Sequence, residues 1–126
     1  DYNRMVLLMA VLEKRLKISL SNYDAYVNIA GGMRITEPAA DLGIAMAIYS
    51  NYKDIVLPPD AAFMGEIGLS GEVRPVSLID TRVKEAKKLG MKKIIVPYAN
   101  LKKCSDKTGV IGVKSIADAV RAISNS

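Results

Sequence analysis

Hydrophobic positions near the amino end of the chain recur at the spacing of a helix. These residues, three or four positions apart, are Met5, Leu8, Met9, Leu12 and Leu16. They predict a helix that ends near Arg15 and turns one face to the core. A second helix is predicted over residues 39–49, which are rich in strong helix formers, with Thr36 as its cap and Pro38 in its first turn.

Two further helices are each preceded by a serine that is followed three residues later by an aspartate, which is the pattern of a capping box. The two pairs are Ser77 with Asp80 and Ser115 with Asp118. The helix after the first pair should run to Leu89 and stop at Gly90 in the left-handed conformation. The helix after the second pair is predicted over residues 116–123.

Five short apolar runs have the length and composition of β-strands. They are residues 25–29, 62–67, 72–76, 93–96 and 110–113. Gly31 and Gly32 allow a sharp turn after the first run, and residues 68–71 join the second and third runs as a hairpin. Strands and helices alternate without internal repeats, so the predicted fold class is α/β or α+β.

The composition fits one soluble domain that covers residues 1–126. Half of the residues are hydrophobic and a quarter are charged, which is enough for one core. No apolar run approaches the roughly eighteen residues that a membrane span needs, and the apolar start lacks a signal-peptide cleavage site, so we expect a cytoplasmic protein without membrane contact. The chain begins with Asp1 rather than Met, and we expect it to be the carboxy-terminal part of a longer protein.

The residue types present limit the chemistry that this chain can perform. It has no histidine and one cysteine, Cys104, so an internal disulfide is excluded and a zinc site would lack nearly all of its usual ligands. Catalysis by Ser-His-Asp or Cys-His is excluded too, which leaves a serine activated by a lysine, or a pair of carboxylates. The carboxylates considered are Glu37, Asp41, Glu66 and Asp80. Acids near helix starts more often stabilise the helix dipole than perform catalysis.

Two glycine patterns resemble nucleotide-binding motifs but lack their spacing. Residues 109–115 have two residues between the glycines, where a phosphate loop has four, and are predicted to form a strand followed by a helix cap. Gly65, Gly68 and Gly71 lie in the predicted hairpin rather than between a strand and a helix, so they are interpreted as turn glycines. ATP is therefore not expected to bind to this chain.

Three segments of the chain carry a resemblance to a known family. They are Gly-Gly-Met-Arg-Ile-Thr-Glu-Pro-Ala-Ala-Asp-Leu-Gly-Ile-Ala-Met-Ala at 31–47, Met-Gly-Glu-Ile-Gly-Leu-Ser-Gly-Glu-Val-Arg-Pro-Val at 64–76, and Lys-Lys-Ile-Ile-Val-Pro-Tyr-Ala-Asn at 92–100. Together they resemble the carboxy-terminal Lon-like domain of the RadA (Sms) family of bacterial DNA repair proteins, across essentially the whole chain. The resemblance implies a two-layer α/β fold, like that of the Lon proteolytic domain and of a domain of a small-subunit ribosomal protein.

The resemblance also implies that aspartates stand where a Lon peptidase has its catalytic serine and lysine. Matching residues 43–47 to the Lon sequence puts Asp41 at the serine position, and counting through the second segment puts Asp80 at the lysine position. A carboxylate is a poor nucleophile for an amide, and it cannot act as the neutral amine that activates a serine. We therefore expect no catalytic residues. A relocated pair that uses Ser77 is disfavoured, because Ser77 is interpreted as a helix cap.

The resemblance further implies a role for the longer protein. RadA-type proteins combine this domain with a zinc finger and an ATPase domain, which are absent from residues 1–126 and would use zinc, ATP and Mg²⁺. The Lon-like domain is implied to form a homo-hexameric ring stacked on the DNA-dependent ATPase, which drives branch migration of recombination intermediates. No cofactor is expected in this chain itself.

Basic residues are the candidates for contact with DNA, and the net charge of +5 permits such a partner. The predicted phosphate contacts, which would line the channel of the ring, are Arg34, Arg74, Arg82 and Lys84. Contacts of this kind carry no base information, so the expected partner is the backbone of duplex or branched DNA. The alternative for the lysines of the third helix is a solvated outer face, since positions 84, 87 and 88 share one side. The tyrosines considered for base stacking, which are predicted to pack or cap the core instead, are Tyr49, Tyr52 and Tyr98.

Three functions remain open at this point. The first is a noncatalytic module that forms a ring and contacts DNA in a RadA-type recombination motor, and it predicts DNA binding that weakens with salt. The second is a purely structural ring former, which would ignore DNA. The third is a divergent Lon-type serine peptidase, which a serine-directed probe would label. The paired aspartates and the resemblance over the whole chain favour the first.

Overall fold

The computed structural model describes residues 2–20 and 37–124 of the chain. Its helices are α1 (Tyr2–Leu16), α2 (Asp41–Lys53), α3 (Ile79–Lys88) and α4 (Ile116–Ser124). Its strands are β1 (Ala61–Phe63), β2 (Glu66–Ile67), β3 (Val73–Arg74), β4 (Lys93–Pro97) and β5 (Val110–Val113), and short 3-10 helices occupy Pro38–Ala40 and Tyr98–Lys103. The predicted strand at residues 25–29, the glycine turn after it, Arg34 and Thr36 lie outside the described residues.

Three parallel strands form the larger sheet of the described part, in the order β1-β4-β5. β2 and β3 form a small antiparallel hairpin beside it. Pro97 at the end of β4 pairs with Val113 at the end of β5, so these two strands finish at the same level. The residues that follow them directly are Tyr98 and Lys114. We call this end of the sheet the carboxyl edge, and the opposite end the amino edge.

Alternation along β4 divides the core into two apolar clusters. Ile95 belongs to a cluster with residues of α1, α2 and α4, whereas Ile94 and Val96 belong to a cluster with residues of α3. All three side chains are fully buried. The predicted α/β class is confirmed. The resemblance implied a two-layer fold. In the structure, α3 also covers the second face of the sheet, where it packs against Ile94 and Val96.

The helices predicted in the described part are confirmed, with small changes at their ends. Leu8 and Leu12 of α1 are buried in the cluster that includes α2, as their spacing predicts. Gly90 has a positive φ of 90° just beyond α3, and the N–H of Asp118 in α4 donates to Ser115 Oγ at 3.1 Å. α2 extends slightly further than predicted. Among the described residues, no helix is long and apolar enough to cross a membrane.

The predicted strand at residues 62–67 is wrong as a single element. β1 ends at Phe63 and belongs to the parallel sheet, while β2 begins at Glu66 and belongs to the hairpin. Between them, the N–H of Gly65 donates to Ala39 O and its carbonyl accepts from the N–H of Leu42, both at 3.0 Å. These two hydrogen bonds turn the chain from one sheet to the other beside the start of α2. The two halves of residues 62–67 are therefore stabilised by different strands: β1 pairs with β4, and β2 pairs with β3.

The capping box predicted at Ser77 and Asp80 is also wrong. The residue that precedes α3 is Leu78, in the left-handed conformation with φ of 57° and without a side-chain cap. A non-glycine residue in this conformation carries a steric cost of roughly 1–2 kcal/mol. Asp80 does not reach back to its own helix start, because its carboxylate accepts hydrogen bonds from Ser105 instead.

Candidate functional site

Asp41, which the resemblance predicts at the position of the Lon nucleophile, is a buried member of an ion pair. Its side chain is 1% exposed at the start of α2. Arg4 on α1 binds both carboxylate oxygens, with Nε donating to Oδ1 and Nη2 donating to Oδ2 at 2.5 Å. The N–H of Ile67 donates a third hydrogen bond to Oδ2 at 3.0 Å. One carboxylate therefore joins α1, α2 and β2.

This geometry leaves Asp41 without the access to substrate that a nucleophile needs. A buried charge is tolerated where it is paired and hydrogen-bonded, and the planar fork of a guanidinium matches both oxygens of a carboxylate. The side-chain hydrogen bond to Asp41 raises the pKa of Arg4 against the opposing effect of burial, and Glu66 adds a smaller attraction from 3.8 Å. The arrangement is suited to holding three elements together rather than to chemistry.

Asp80, which the resemblance predicts at the lysine position, connects α3 to the segment that follows the second 3-10 helix. The N–H and the Oγ of Ser105 donate to Asp80 Oδ1 at 2.9 and 3.0 Å, and Lys84 Nζ lies 3.1 Å from Oδ2. These contacts, led by the N–H of Ser105, hold the pKa of Asp80 below its usual value. A carboxyl group with a lowered pKa is a weak base, so it is poorly suited to deprotonate the Ser105 hydroxyl.

The two aspartates do not share a partner in the described part of the chain. Asp41 is bound by Arg4 and the backbone of β2, whereas Asp80 is bound by residues of α3 and by Ser105. Ser77, which was considered for a relocated pair, presents its carbonyl oxygen to Arg82 Nε at 2.7 Å. Asp41 and Asp80 thus make two separate structural contacts.

Arg74 and Lys84, two of the predicted phosphate contacts, lie at the surface in exposed ion pairs. Both Nε and Nη2 of Arg74 lie 3.2 Å from Glu72 Oε2, and Lys84 pairs with Asp80. Pairs of this kind contribute only about 0–1 kcal/mol. A phosphate can therefore replace the carboxylate at little cost in free energy.

Arg82, a third predicted contact, is held more firmly than the other two. Its Nε donates to the carbonyl of Ser77, and its Nη2 pairs with Glu37 ahead of α2. Arg82 and Lys84 are also two positions apart on α3, so they project from different sides of the helix. The described residues therefore do not bring these two cations onto one face. Arg34, the fourth, lies outside the described residues.

The lysines of α3 border a shallow groove of about 510 Å³ in which acids and bases alternate. Lys87 Nζ lies 3.0 Å from Asp106 Oδ2, and Lys88 Nζ lies 3.5 Å from a carboxylate oxygen of Glu85. The N–H of Thr108, followed by Lys87, lowers the pKa of Asp106 to about 2. Mixed charge of this kind is typical of a solvated helix face.

The carboxyl edge carries an exposed aromatic residue whose role was predicted incorrectly. Tyr98 is 53% exposed, so it neither packs in the core nor caps it. Lys114 Nζ lies 4.7 Å from the centroid of its ring. The N–H of Val73 donates to Lys114 O at 2.9 Å, so β3, which ends at Arg74, runs along the same edge. The sequence contained a signal for the exposure of Tyr98, because this residue directly follows the buried apolar strand β4.

Asn100, which was not singled out from the sequence, holds this edge together. Its side chain is buried, with Oδ1 accepting from the N–H of Val76 at 2.9 Å and Nδ2 donating to Val76 O at 3.2 Å. The amide thus acts as a strand partner for the segment between β3 and α3. That segment is tied to the 3-10 helix that begins at Tyr98.

The nucleotide and metal ions implied for the longer protein do not fit the described residues. Residues 109–115 form β5 and a helix cap, as predicted, rather than a loop around a phosphate. Within ranges 2–20 and 37–124, no group of three His, Cys, Asp or Glu side chains is placed to hold a metal ion. Cys104 is buried, and burial raises the pKa of its thiol.

A protein-family model matches most of this architecture. Residues 8–100 match the family described as subunit ChlI of Mg-chelatase. The matched range contains Asp41, Asp80, the hairpin and β4.

Curated relatives of the chain carry the name DNA repair protein RadA. The protein from Bacillus subtilis is 52% identical over 123 residues, which cover 96% of this chain and 27% of the relative. The protein from Halalkalibacterium halodurans is 53% identical over 122 residues, covering 95% of this chain and 27% of the relative. The protein from Synechocystis sp. is 53% identical over 97 residues, covering 77% of this chain and 19% of the relative. The chain thus spans about a quarter of the length of the first two.

Proposed function

The chain belongs to the family described as subunit ChlI of Mg-chelatase and is the Lon-like domain of RadA-type DNA repair proteins, and from this premise we propose a noncatalytic role for it. It serves a cytoplasmic DNA repair ATPase as a module that forms a hexameric ring and contacts DNA without reading its sequence. The ATPase, in the remainder of the longer protein, drives branch migration of recombination intermediates.

The buried pair of Arg4 and Asp41 is the observation that supports a noncatalytic role most strongly. A nucleophile has to meet its substrate, whereas the Asp41 carboxylate accepts three hydrogen bonds from its own chain and is almost without contact with solvent. Asp80 is similarly engaged by Ser105. Both former dyad positions therefore contribute to the stability of the scaffold.

Exposed cations support the contact with DNA. Arg74 and Lys84 carry their charges at the surface in pairs that a phosphate can replace. The chain as a whole has a net charge of +5, which favours association with a polyanion. Point charges of this kind bind the backbone and leave the bases unread.

Salt dependence of DNA binding is the first test of this proposal. The chain is sedimented with a short fluorescent duplex while the salt concentration is raised. Each phosphate contact adds about 0.9 to the slope of log affinity against log salt on duplex DNA. Arg74→Ala and Lys84→Ala should each lower the slope by about 0.9, and removal of Arg34 together with Arg74 should lower it by about 1.8.

Lys92→Ala is the matched control, because Lys92 is an exposed lysine at the amino edge and its loss changes the net charge by the same amount. Its slope should equal that of the unaltered chain. An unchanged slope after removal of Arg34 and Arg74 would exclude these residues as phosphate contacts. The absence of any DNA association at low salt would remove the DNA-binding role altogether.

The ring is proposed from the resemblance to the Lon-like domain. Val56, which is 94% exposed, and Leu69, Leu78 and Leu89 lie in separate segments, and scattered exposed residues of this kind do not by themselves mark an interface. Sedimentation of the chain without DNA reports directly whether a hexamer forms.

A purely structural ring is the second candidate function, and one observation favours it. The three described candidate contacts, Arg74, Arg82 and Lys84, each already have a carboxylate partner. If this second function is correct, sedimentation shows a ring, and the fluorescent duplex does not sediment together with that ring. A divergent peptidase would instead react with a serine-directed probe, and we expect no labelling because Asp41 is buried and the Asp80 carboxylate is a weak base.

A further inference from the structure

The carboxyl edge of the parallel sheet brings together the residues that follow its neighbouring strands. In this chain that edge is formed where β4 and β5 end, at Pro97 and Val113. The next residues, Tyr98 and Lys114, lie side by side, with the ammonium group 4.7 Å from the ring centroid. A cation and an aromatic ring are thus presented together at the carboxyl edge.

Tyr98 differs from the other aromatic side chains that the structure describes. Tyr49, Tyr52 and Phe63 are partly buried, and the last two pack against the larger core cluster. Tyr98 is 53% exposed instead. An aromatic residue that serves only the core gains nothing from this exposure, whereas a ring that stacks on a ligand requires it. Lys114 lies over one face of the ring, so a stacked base would take the opposite face.

Further basic residues lie in the elements next to Tyr98, namely the hairpin and the 3-10 helix that begins at Tyr98. The hydrogen bond from Val73 to Lys114 O places β3 beside β5, so that Arg74 at the end of β3 lies along the same edge. Lys102 and Lys103 of the 3-10 helix are exposed, and no described residue pairs with them. The edge therefore combines one exposed ring with several cations, which is the combination that tracks a single strand of nucleic acid.

We propose that Tyr98 stacks on an unpaired base of single-stranded DNA while Lys114 and Arg74 contact the phosphates on either side. This inference rests on the proposed function, since it names the form of DNA that the domain contacts. In a duplex the faces of the bases are already stacked on their neighbours, so an exposed ring has no base to meet. Unpaired bases arise wherever strands are exchanged or displaced, and the ring adds affinity only there.

The test compares a fluorescent oligothymidylate with a duplex of the same length, at low salt, for a short series of variants of the chain. Tyr98→Ala should weaken binding of the single strand about tenfold and leave binding of the duplex unchanged. Tyr98→Phe should bind both as the unaltered chain does, because stacking needs the ring and not the hydroxyl. Asn51→Ala, at an exposed position of α2, is the control for surface substitution and should change neither affinity.

Lys114→Ala and Lys92→Ala form a second matched pair, since each removes one exposed lysine from opposite edges of the sheet. Lys114→Ala should lower the salt slope for the single strand by about 0.7, and Lys92→Ala should not. Thermal unfolding of each variant confirms that the fold is intact, as expected for exposed positions.

The outcomes separate this inference from the proposed function. An equal loss on single strand and duplex, or no loss with Tyr98→Ala, overturns the stacking role while salt-dependent binding of the duplex still supports DNA contact. If the unaltered chain binds neither form at low salt, both the proposed function and this inference are overturned. A tenfold loss confined to the single strand supports both.

Discussion

Arg4→Ala is expected to lower the free energy of unfolding by about 3–5 kcal/mol. The substitution leaves the Asp41 carboxylate, 1% exposed, without the two hydrogen bonds that neutralise its charge. Only the hydrogen bond from the N–H of Ile67 then remains to stabilise the buried negative charge of Asp41. Desolvation of an unpaired carboxylate is the dominant cost, so the loss should exceed that of an ordinary surface arginine many times over. Urea unfolding followed by circular dichroism at neutral pH measures it.

Asp41→Ala should be the milder of the two substitutions, with a loss of about 1–3 kcal/mol. Arg4 is 25% exposed, so its guanidinium can reach water once the carboxylate is gone, whereas the carboxylate cannot. For the same reason the double variant should be more stable than Arg4→Ala alone. Arg121→Ala is the matched control, because Arg121 pairs with Asp118 at the surface and should contribute less than about 1 kcal/mol. Equal losses for Arg4→Ala and Asp41→Ala would contradict the asymmetry that burial predicts.

The contact between Arg4 and Asp41 gives this aspartate a structural role. The resemblance to the Lon domain predicted that Asp41 is no nucleophile, but it did not predict what the aspartate does. The answer lies in Arg4, 37 positions earlier in the chain, and no local pattern connects the two residues. Position 41 faces the core side of α2 near β2. A carboxylate at this position holds α1 in place through Arg4.

The helices could be predicted because their signals are local. The spacing of Leu8 and Leu12 and the left-handed stop at Gly90 each depend on a few neighbouring residues. The extended run at residues 62–67 could not be resolved in the same way, since its two halves differ only in their partners. Phe63 pairs with a strand some thirty residues later, and Ile67 pairs within the hairpin. Strand partners far apart in the sequence leave little local trace.

The basic residues illustrate a second limit. Charge and position selected Arg74 and Lys84, which the structure places at the surface, but nothing in the sequence indicated that Arg82 would bind Glu37 and a backbone carbonyl. The DNA-binding role of all these residues stays a prediction. Tyr98 was expected to serve the core because tyrosines commonly do, and its exposure follows from the end of β4, which the sequence places only approximately.

Asn100→Ala is expected to lower the free energy of unfolding by about 2–4 kcal/mol, because two partly buried backbone groups lose their partners at once. The N–H and the carbonyl of Val76 bind the two ends of the Asn100 amide, and alanine can replace neither contact. Asn51→Ala is the control at an exposed helical position, where the change should stay within about 0.5 kcal/mol. Denaturant unfolding of the two variants side by side gives the difference.

The position of Asn100 makes this loss informative about function as well as stability. The amide ties the segment after Arg74 to the 3-10 helix that begins at Tyr98, so it fixes the spacing between a proposed phosphate contact and the proposed stacking ring. At a temperature where Asn100→Ala is still folded, the preference for a single strand that depends on Tyr98 should fall, while Asn51→Ala should keep it. If Asn100→Ala were as stable as Asn51→Ala and kept the full preference, the amide would not hold the carboxyl edge in shape. If Asn100 positions the binding surface, its substitution should lower both the free energy of unfolding and the preference for single-stranded DNA, because the carboxyl edge that Asn100 stabilises is the surface proposed to bind.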